Sequence, residues 1–154
     1  LKLSDEELIR RVVWGDDHHA FSELVRRYQS SVRNFLRKMT SGDVALADDL
    51  SQEVFLKAFR HLNTFQFRSS FSSWLYQIAY RVFLSELRKG YRREITDEHI
   101  KERIGGVDPD SYDLRQDVRE AMKVLLPSER AAIHLHYQEG CTHVEISDIM
   151  NIPL

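Results

Sequence analysis

Between residues 21 and 39 the apolar side chains recur only at spacings of three and four: Phe21, Leu24, Val25, Tyr28, Val32, Phe35, Leu36 and Met39. That period lays one apolar stripe along about five turns of helix. A strand cannot use it, because a strand sends alternate residues to opposite faces. The other periodic stretches follow the same spacing. No strand pattern and no internal repeat interrupts them, so the expected fold class is all-α.

Start and stop signals divide the chain. Ser4 with Glu7 is a capping box, and Leu8, Val12 and Val13 follow at helical spacing. Gly15, Asp16 and Asp17 end that helix and cap the next, and Ser41, Gly42 and Asp43 break the second. A third helix is expected to about Leu62, with Leu46, Leu50, Val54, Ala58 and Leu62 inward. A fourth is expected from about Ser70 to Lys89. Its apolar face is Phe71, Trp74, Leu75, Ile78, Ala79, Val82 and Leu87, and Gly90 is its stop. Residues 94–113 hold Gly105, Gly106, Pro109 and many acids, which reads as a linker. Leu114, Val118, Met122 and Leu125 restart a helix. Pro127 and Ser128 stop it and cap another, which runs to about Gln138. After a turn at Glu139 and Gly140, Thr142 and Glu145 form a second capping box for a short helix through Met150. The organisation is therefore a helical domain over residues 1–93, a linker over 94–113, and a smaller helical domain over 114–154.

At 154 residues, with 42% hydrophobic and 30% charged side chains, the composition is that of a soluble globular chain. No apolar run is long enough to span a bilayer, and no secretory signal is visible. The one cysteine, Cys141, cannot form an internal disulfide, which fits a reducing cytoplasm. The net charge of −2 hides an asymmetry. Residues 1–93 carry 16 Lys and Arg against 11 Asp and Glu, whereas residues 94–154 carry 6 against 13. A basic half suits nucleic acid and an acidic half does not. If the linker lets the halves move, the acidic half is expected to screen part of the basic tail at Arg88, Lys89, Arg92 and Arg93.

Catalytic patterns are absent. There is no Gly-rich phosphate loop, no nucleophile elbow and no His-Glu-x-x-His motif, so no catalytic residue, cofactor or small-molecule substrate is expected. His134 and His136, near Cys141 and His143, invite a metal reading. Two residues along a helix is about 200°, so that pair points to opposite sides.

Two surfaces remain. Asp48, Asp49, Gln52 and Glu53 lie on successive turns of the third helix, flanked by Lys57 and Arg60. They form either a solvated face with internal ion pairs or a polar docking face for a protein partner. Downstream, Phe65, Phe67, Phe71 and Trp74 crowd one short region beside Arg68, Ser69, Ser70, Ser72 and Ser73. Phe71 and Trp74 fit a helical core, but Phe65 and Phe67 precede the helix. Unstacked bases need aromatic platforms, donors for their edges and cations for their phosphates. Gln77, Arg81, Arg88 and Lys89 continue that supply along the next helix.

In this order the motifs resemble a bacterial RNA polymerase sigma factor of the extracytoplasmic-function (ECF) group. GDDHHAFSELVRRYQSSVRNFL is similar to the first helix of that family's promoter-melting domain, region 2. DDLSQEVFLKAFRHLNTF is similar to its polymerase-binding helix, and SSFSSWLYQIAYRVFLSELRK to the segment that melts and reads the −10 element. LLPSERAAIHLHYQEGCTHVEISDIMNIPL resembles the start of the helix-turn-helix region 4, which reads the −35 element. The family's recognition helix would follow the turn at residues 151–154, where the sequence stops.

The resemblance implies core RNA polymerase as a partner of Asp48, Asp49, Gln52, Glu53, Lys57 and Arg60. It implies promoter DNA on Phe65, Arg68, Ser69, Ser70, Trp74, Gln77, Arg81, Arg88 and Lys89. It also implies control by an anti-sigma factor, often membrane-linked, and no activity as an enzyme. The family often carries Asn at the position of Arg81 and Asp at that of Ser85, and Leu and Tyr where Cys141 and His143 stand. A helix-turn-helix regulator acting without polymerase is the main competing class, and it leaves the polar face of the third helix unexplained. A protein-binding scaffold leaves the aromatic cluster and the basic tail unexplained.

Overall fold

The computed structural model describes residues 3–96 and 114–153, and every regular element among them is helical. Helix α1 (Asp5–Gly15), α2 (His18–Met39), α3 (Val44–His61) and α4 (Phe71–Thr96) form one bundle, with a single 3-10 turn at Leu62–Thr64 between α3 and α4. Helices α5 (Leu114–Val124), α6 (Pro127–Tyr137) and α7 (His143–Met150) follow.

The starts are set by side chains that satisfy orphan amides. The Ser4 hydroxyl accepts from the Glu7 amide while the Glu7 carboxylate accepts from the Ser4 amide. Asp17 accepts from the His19 and Ala20 amides, and Asp43 from that of Leu46. Thr142 and Glu145 repeat the reciprocal box at α7. Gly140 in the preceding turn has φ +69°, a value that costs glycine nothing.

Helix α2 is the hub, packed against α1, α3, α4 and α6. Its stripe of Leu24, Val32, Phe35 and Leu36 is essentially solvent-free and meets Val54 of α3 and Leu75 and Ala79 of α4 in one core. Arg27 closes the N-terminus onto this helix, donating to Asp5 at 2.7 Å and to the Leu3 carbonyl at 2.6 Å.

Several expectations need correction. Helix α4 does not stop at Gly90 but continues to Thr96. A glycine inside a helix costs only about 1 kcal/mol relative to Ala, and Gly90 has no positive φ with which to cap. Leu87 is exposed rather than inward, while Tyr76, Tyr80 and Phe83 are buried. The cause is that α4 packs against α2, α3 and α7, which needs a wider apolar face than one stripe. On α3, Ala47 and Phe55 are buried and Leu46 only partly. Ser128 does not cap α6. Leu126 holds that position, Pro127 occupies the first turn where its missing amide is harmless, and Glu129 reaches back to the Leu126 amide at 2.8 Å. Val118, one of the apolar residues that restart a helix at α5, is 57% exposed.

Among the described residues the two halves pack together through helices α6 and α7. Helix α6 lies on α2 and α7 lies on α4. Arg130, buried in the contact, donates to the carbonyls of Lys38 and Met39 and to the Ser41 hydroxyl. The ion pair of Lys89 is with Glu86 on its own helix, at 3.4 Å. Residues 97–113 of the expected linker, and the side chains of Arg92 and Arg93, lie outside the described residues.

Candidate functional site

The outer face of α3 is built by a three-four spacing. Asp49, Gln52 and Arg60 are exposed, and Glu53 and Lys57 are half-buried and paired with each other at 3.2 Å. Asp48 separates from this set, because its carboxylate pairs with Arg33 of α2 at 2.9 Å. One side chain belongs to the face that charge reasoning passed over. Leu56 is 50% exposed in the row of Asp49, Gln52, Glu53 and Arg60. The signal was available: an apolar residue at the i+3 position from Glu53 on a polar row has no intramolecular partner to find.

The connection from α3 to α4 gathers the aromatics. The Thr64 hydroxyl donates to the His61 carbonyl at 2.7 Å and closes the 3-10 turn. Phe65 then turns inward, with ring centroids 4.8 Å from Phe67, 5.9 Å from Phe71 and 5.3 Å from Trp74. Phe71 is core, edge-on to Tyr28 at 5.3 Å. Phe65 and Trp74 are half-buried and Phe67 exposed, so the cluster grades from packed to open along the segment. Arg68 and Ser69 are exposed. The Ser70 hydroxyl is engaged as a helix cap, accepting from the Ser73 amide at 3.1 Å.

Further along α4, Trp74, Gln77 and Arg81 share a face. With Lys57, His61, Thr64, Ile78 and Val82 they line a cleft of about 350 Å³ between α3 and α4. This juxtaposition joins Lys57 of one predicted surface to the predicted nucleic-acid residues of the other. Arg88 and Lys89 lie exposed beyond it, more than a turn further along the helix.

A second cleft, about 570 Å³, lies where the halves meet. Arg68, Ser69, Ser73, Trp74 and Gln77 form one wall, and residues from Glu145 to Pro153 the other. Gln77 Nε2 donates to the Asp148 carbonyl at 2.9 Å, and the Ser73 hydroxyl lies 3.4 Å from Glu145. The amide and hydroxyl of Thr142 hold the Glu145 carboxyl below its ordinary range, so it is an anion at neutral pH. Helix α7 thus places carboxylates beside the face that Arg68, Trp74 and Gln77 present.

Behind this contact, His134 is buried on α6, 3.2 Å from Glu139 and 5.5 Å from the Phe35 ring. Burial pushes its imidazole pKa down, and the Glu139 carboxylate opposes that shift. His136 turns away, stacked on His143 at 5.2 Å. Among the described residues no three His, Cys, Asp or Glu side chains converge on a possible metal position, and no helix is long and apolar enough to cross a membrane.

Comparison with known proteins shows the family and the fold. Residues 24–93 match the family model of Sigma-70 region 2. The ECF RNA polymerase sigma-E factor of Escherichia coli (strain K12) is 36% identical over 168 residues, covering 99% of this chain and 86% of the relative. The fold is similar to that of the sigma factor RpoE from Bartonella quintana, solved in complex with the anti-sigma factor NepR. There the TM-score is 0.72, with 24% identity over 86% of this chain and 84% of that one. An engineered region 2 of sigmaE, solved with the oligonucleotide GTAAAA, is 37% identical with a TM-score of 0.53, covering 59% of this chain and 93% of that one. With a relative at this identity matched along nearly its whole length, and helices of region 2 in the order its motifs require, the chain belongs to the ECF family of RNA polymerase sigma factors.

Proposed function

We propose that this chain directs promoter recognition by holding core RNA polymerase on the outer face of α3 and capturing unpaired −10 bases on the segment from Phe65 to Arg81. The observation that carries the reading is the α3–α4 cleft, which sets Trp74, Gln77 and Arg81 beside Lys57 and His61. Aromatic surface, an amide and a cation within one cleft are what an unstacked base and its phosphate require. Arg68 and Ser69 extend the surface, while Ser70 acts as the cap that fixes where α4 begins. Phe65 works from beneath, holding Trp74 in place. Arg88 and Lys89 supply phosphate contacts further along α4.

The docking residues are Asp49, Gln52, Glu53, Lys57 and Arg60 with Leu56 among them, and Asp48 acts through Arg33 by fixing α3 against α2. The structure is then a closed form, in which α7 occupies Ser73 and Gln77. Polymerase binding separates the halves, and an anti-sigma factor keeps them from engaging it. The complex of the Bartonella relative with NepR supports that partner class. Such a protein acts in the cytoplasm, where polymerase works, and has no chemistry of its own.

The test is a pull-down of core RNA polymerase with the full chain, followed by binding of GTAAAA to the reconstituted holoenzyme. Core binding with capture of the single strand is expected. Binding of duplex DNA by the chain alone, with no affinity for core polymerase, would overturn the reading in favour of a stand-alone helix-turn-helix regulator.

A further inference from the structure

Trp14, at the end of α1, is 74% exposed, a large indole left in solvent on the side of the helix opposite the core residue Val12, two residues earlier. It is not isolated. The Arg10 guanidinium carbon lies 5.3 Å from the centroid of the Trp14 ring and 5.9 Å from that of Phe67. Phe67 is itself 44% exposed and has φ +57°, the left-handed region that bulky side chains rarely adopt. Nothing in core packing calls for either exposure. The left-handed backbone at Phe67 coincides with an exposed ring, and Arg10 links that ring to an indole more than fifty residues earlier. Sites where strain persists against its cost are enriched in binding roles.

The patch is continuous with the strand-capture surface, since Phe67 is edge-on to Phe65 at 4.8 Å and Phe65 contacts Trp74 at 5.3 Å. Arg11 and Arg68, the sequence neighbours of Arg10 and Phe67, are also exposed. The acid on Arg10 is Glu6, in a pair whose side chains are about half exposed, an arrangement that contributes little and yields readily to a stronger anion.

We propose that Trp14, Arg10 and Phe67 form a second base platform, which takes one unpaired nucleotide flanking the bases held between Phe65 and Arg81. The base stacks on the exposed indole or phenyl ring, and Arg10 meets its plane or its phosphate. Aromatic stacking tolerates any base, so the platform lengthens the captured strand without adding sequence preference. This inference rests on the proposed strand capture, and it extends the captured strand to α1.

The experiment measures the affinity of the full chain, assembled with core RNA polymerase, for GTAAAA and for the same hexamer extended by two thymidines at its 5′ or its 3′ end. One extension should tighten binding about fivefold or more, the low end of a single stacked base. Trp14→Ala should abolish that gain and leave hexamer affinity unchanged, and Phe67→Ala should reduce it. The indole is exposed enough that its loss leaves the fold intact, which circular dichroism checks. If neither extension tightens binding, or if the gain survives in Trp14→Ala, the platform is overturned while strand capture stands. A Trp14→Ala variant that loses core polymerase instead of the gain also overturns it, and makes the patch a protein contact. Failure of the holoenzyme to bind the hexamer at all removes strand capture, and the platform with it.

Discussion

The Arg130 guanidinium sits on the open C-terminal end of α2, donating from Nη1 to the Lys38 carbonyl at 3.1 Å. The last carbonyls of a helix have no intrahelical partner and carry its negative dipole end, so a buried cation there satisfies both. A further bond from Nη2 to the Leu125 carbonyl at 3.2 Å ties the same group to its own half. One buried side chain thus ties α6 to the end of α2.

Arg130→Ala should therefore loosen the contact between α6 and α2. Hydrogen bonds to a charged group contribute about 1.5–3 kcal/mol, and α2 carbonyls freed at a surface recover part of that from water. Small-angle scattering of the variant should show a larger radius of gyration than the parent chain. Salt should change the parent little, because the described contact is made of hydrogen bonds and apolar packing rather than exposed ion pairs. An unchanged profile in the variant would show that the α4–α7 contact, with its apolar packing and the bonds of Ser73 and Gln77, holds the halves without Arg130.

On α3, reversing Asp49 and Glu53 to Lys together should weaken core polymerase binding by about 2–5 kcal/mol, as for charge contacts that become buried. Leu56→Ala should cost about 1 kcal/mol of the same affinity, since only the exposed half of that side chain is left to bury, and no more than that in fold stability. Asp48→Ala should behave differently. It loses a half-exposed pair with Arg33, so its effect on stability should stay within about 1 kcal/mol. Affinity for core polymerase, measured beside urea unfolding, separates the three.

For strand capture, Arg81→Ala and Gln77→Ala should both impair promoter opening. Arg81 borders an open cleft, and its loss should leave stability unchanged. Gln77→Ala also loses the bond to Asp148, about 0.5–1.5 kcal/mol. Phe65→Ala should impair opening and destabilise the chain, since its ring packs against Phe67, Phe71 and Trp74. Because Phe65 supports Trp74 from beneath, its loss should cost single-strand affinity up to the about 1–3 kcal/mol of a stacking aromatic. Permanganate footprinting of the bubble, read beside thermal unfolding, distinguishes the two kinds of defect. Normal opening by the Arg81 and Gln77 variants would remove them as readers.

Acid should weaken the fold through His134. Burial holds its imidazole below the ordinary value of 6.5, against the pull of Glu139. Below about pH 6.5 the unfolded chain takes up a proton that the folded chain refuses. The stabilisation is thus complete above that pH and declines as pH falls toward the folded-state value. Urea midpoints at pH 7.5 and 5.5 should differ more for the parent than for His134→Gln. The comparison cancels the other six histidines.

The sequence by itself determined the helices and most of their ends, because each depends on neighbours within four residues. The boxes at Ser4 and Thr142, the cap at Asp17 and the stripe through Leu24 and Phe35 are local facts, and the structure repeats them. The two candidate surfaces were legible for the same reason: a polar row on one helix and an aromatic run beside another are patterns along the chain. Tertiary structure decided what each side chain spends its polarity on. Asp48 could not be parted from Asp49 without knowing that Arg33 lies across from it. Ser70 could not be told from Ser69 without the Ser73 amide. The burial of Tyr76, Tyr80 and Phe83 required a helix α4 covered on more than one side. The bond from Gln77 to Asp148 and the seat of Arg130 join residues far apart in sequence. Contacts of that range depend on where whole helices settle, and no spacing along the chain encodes them.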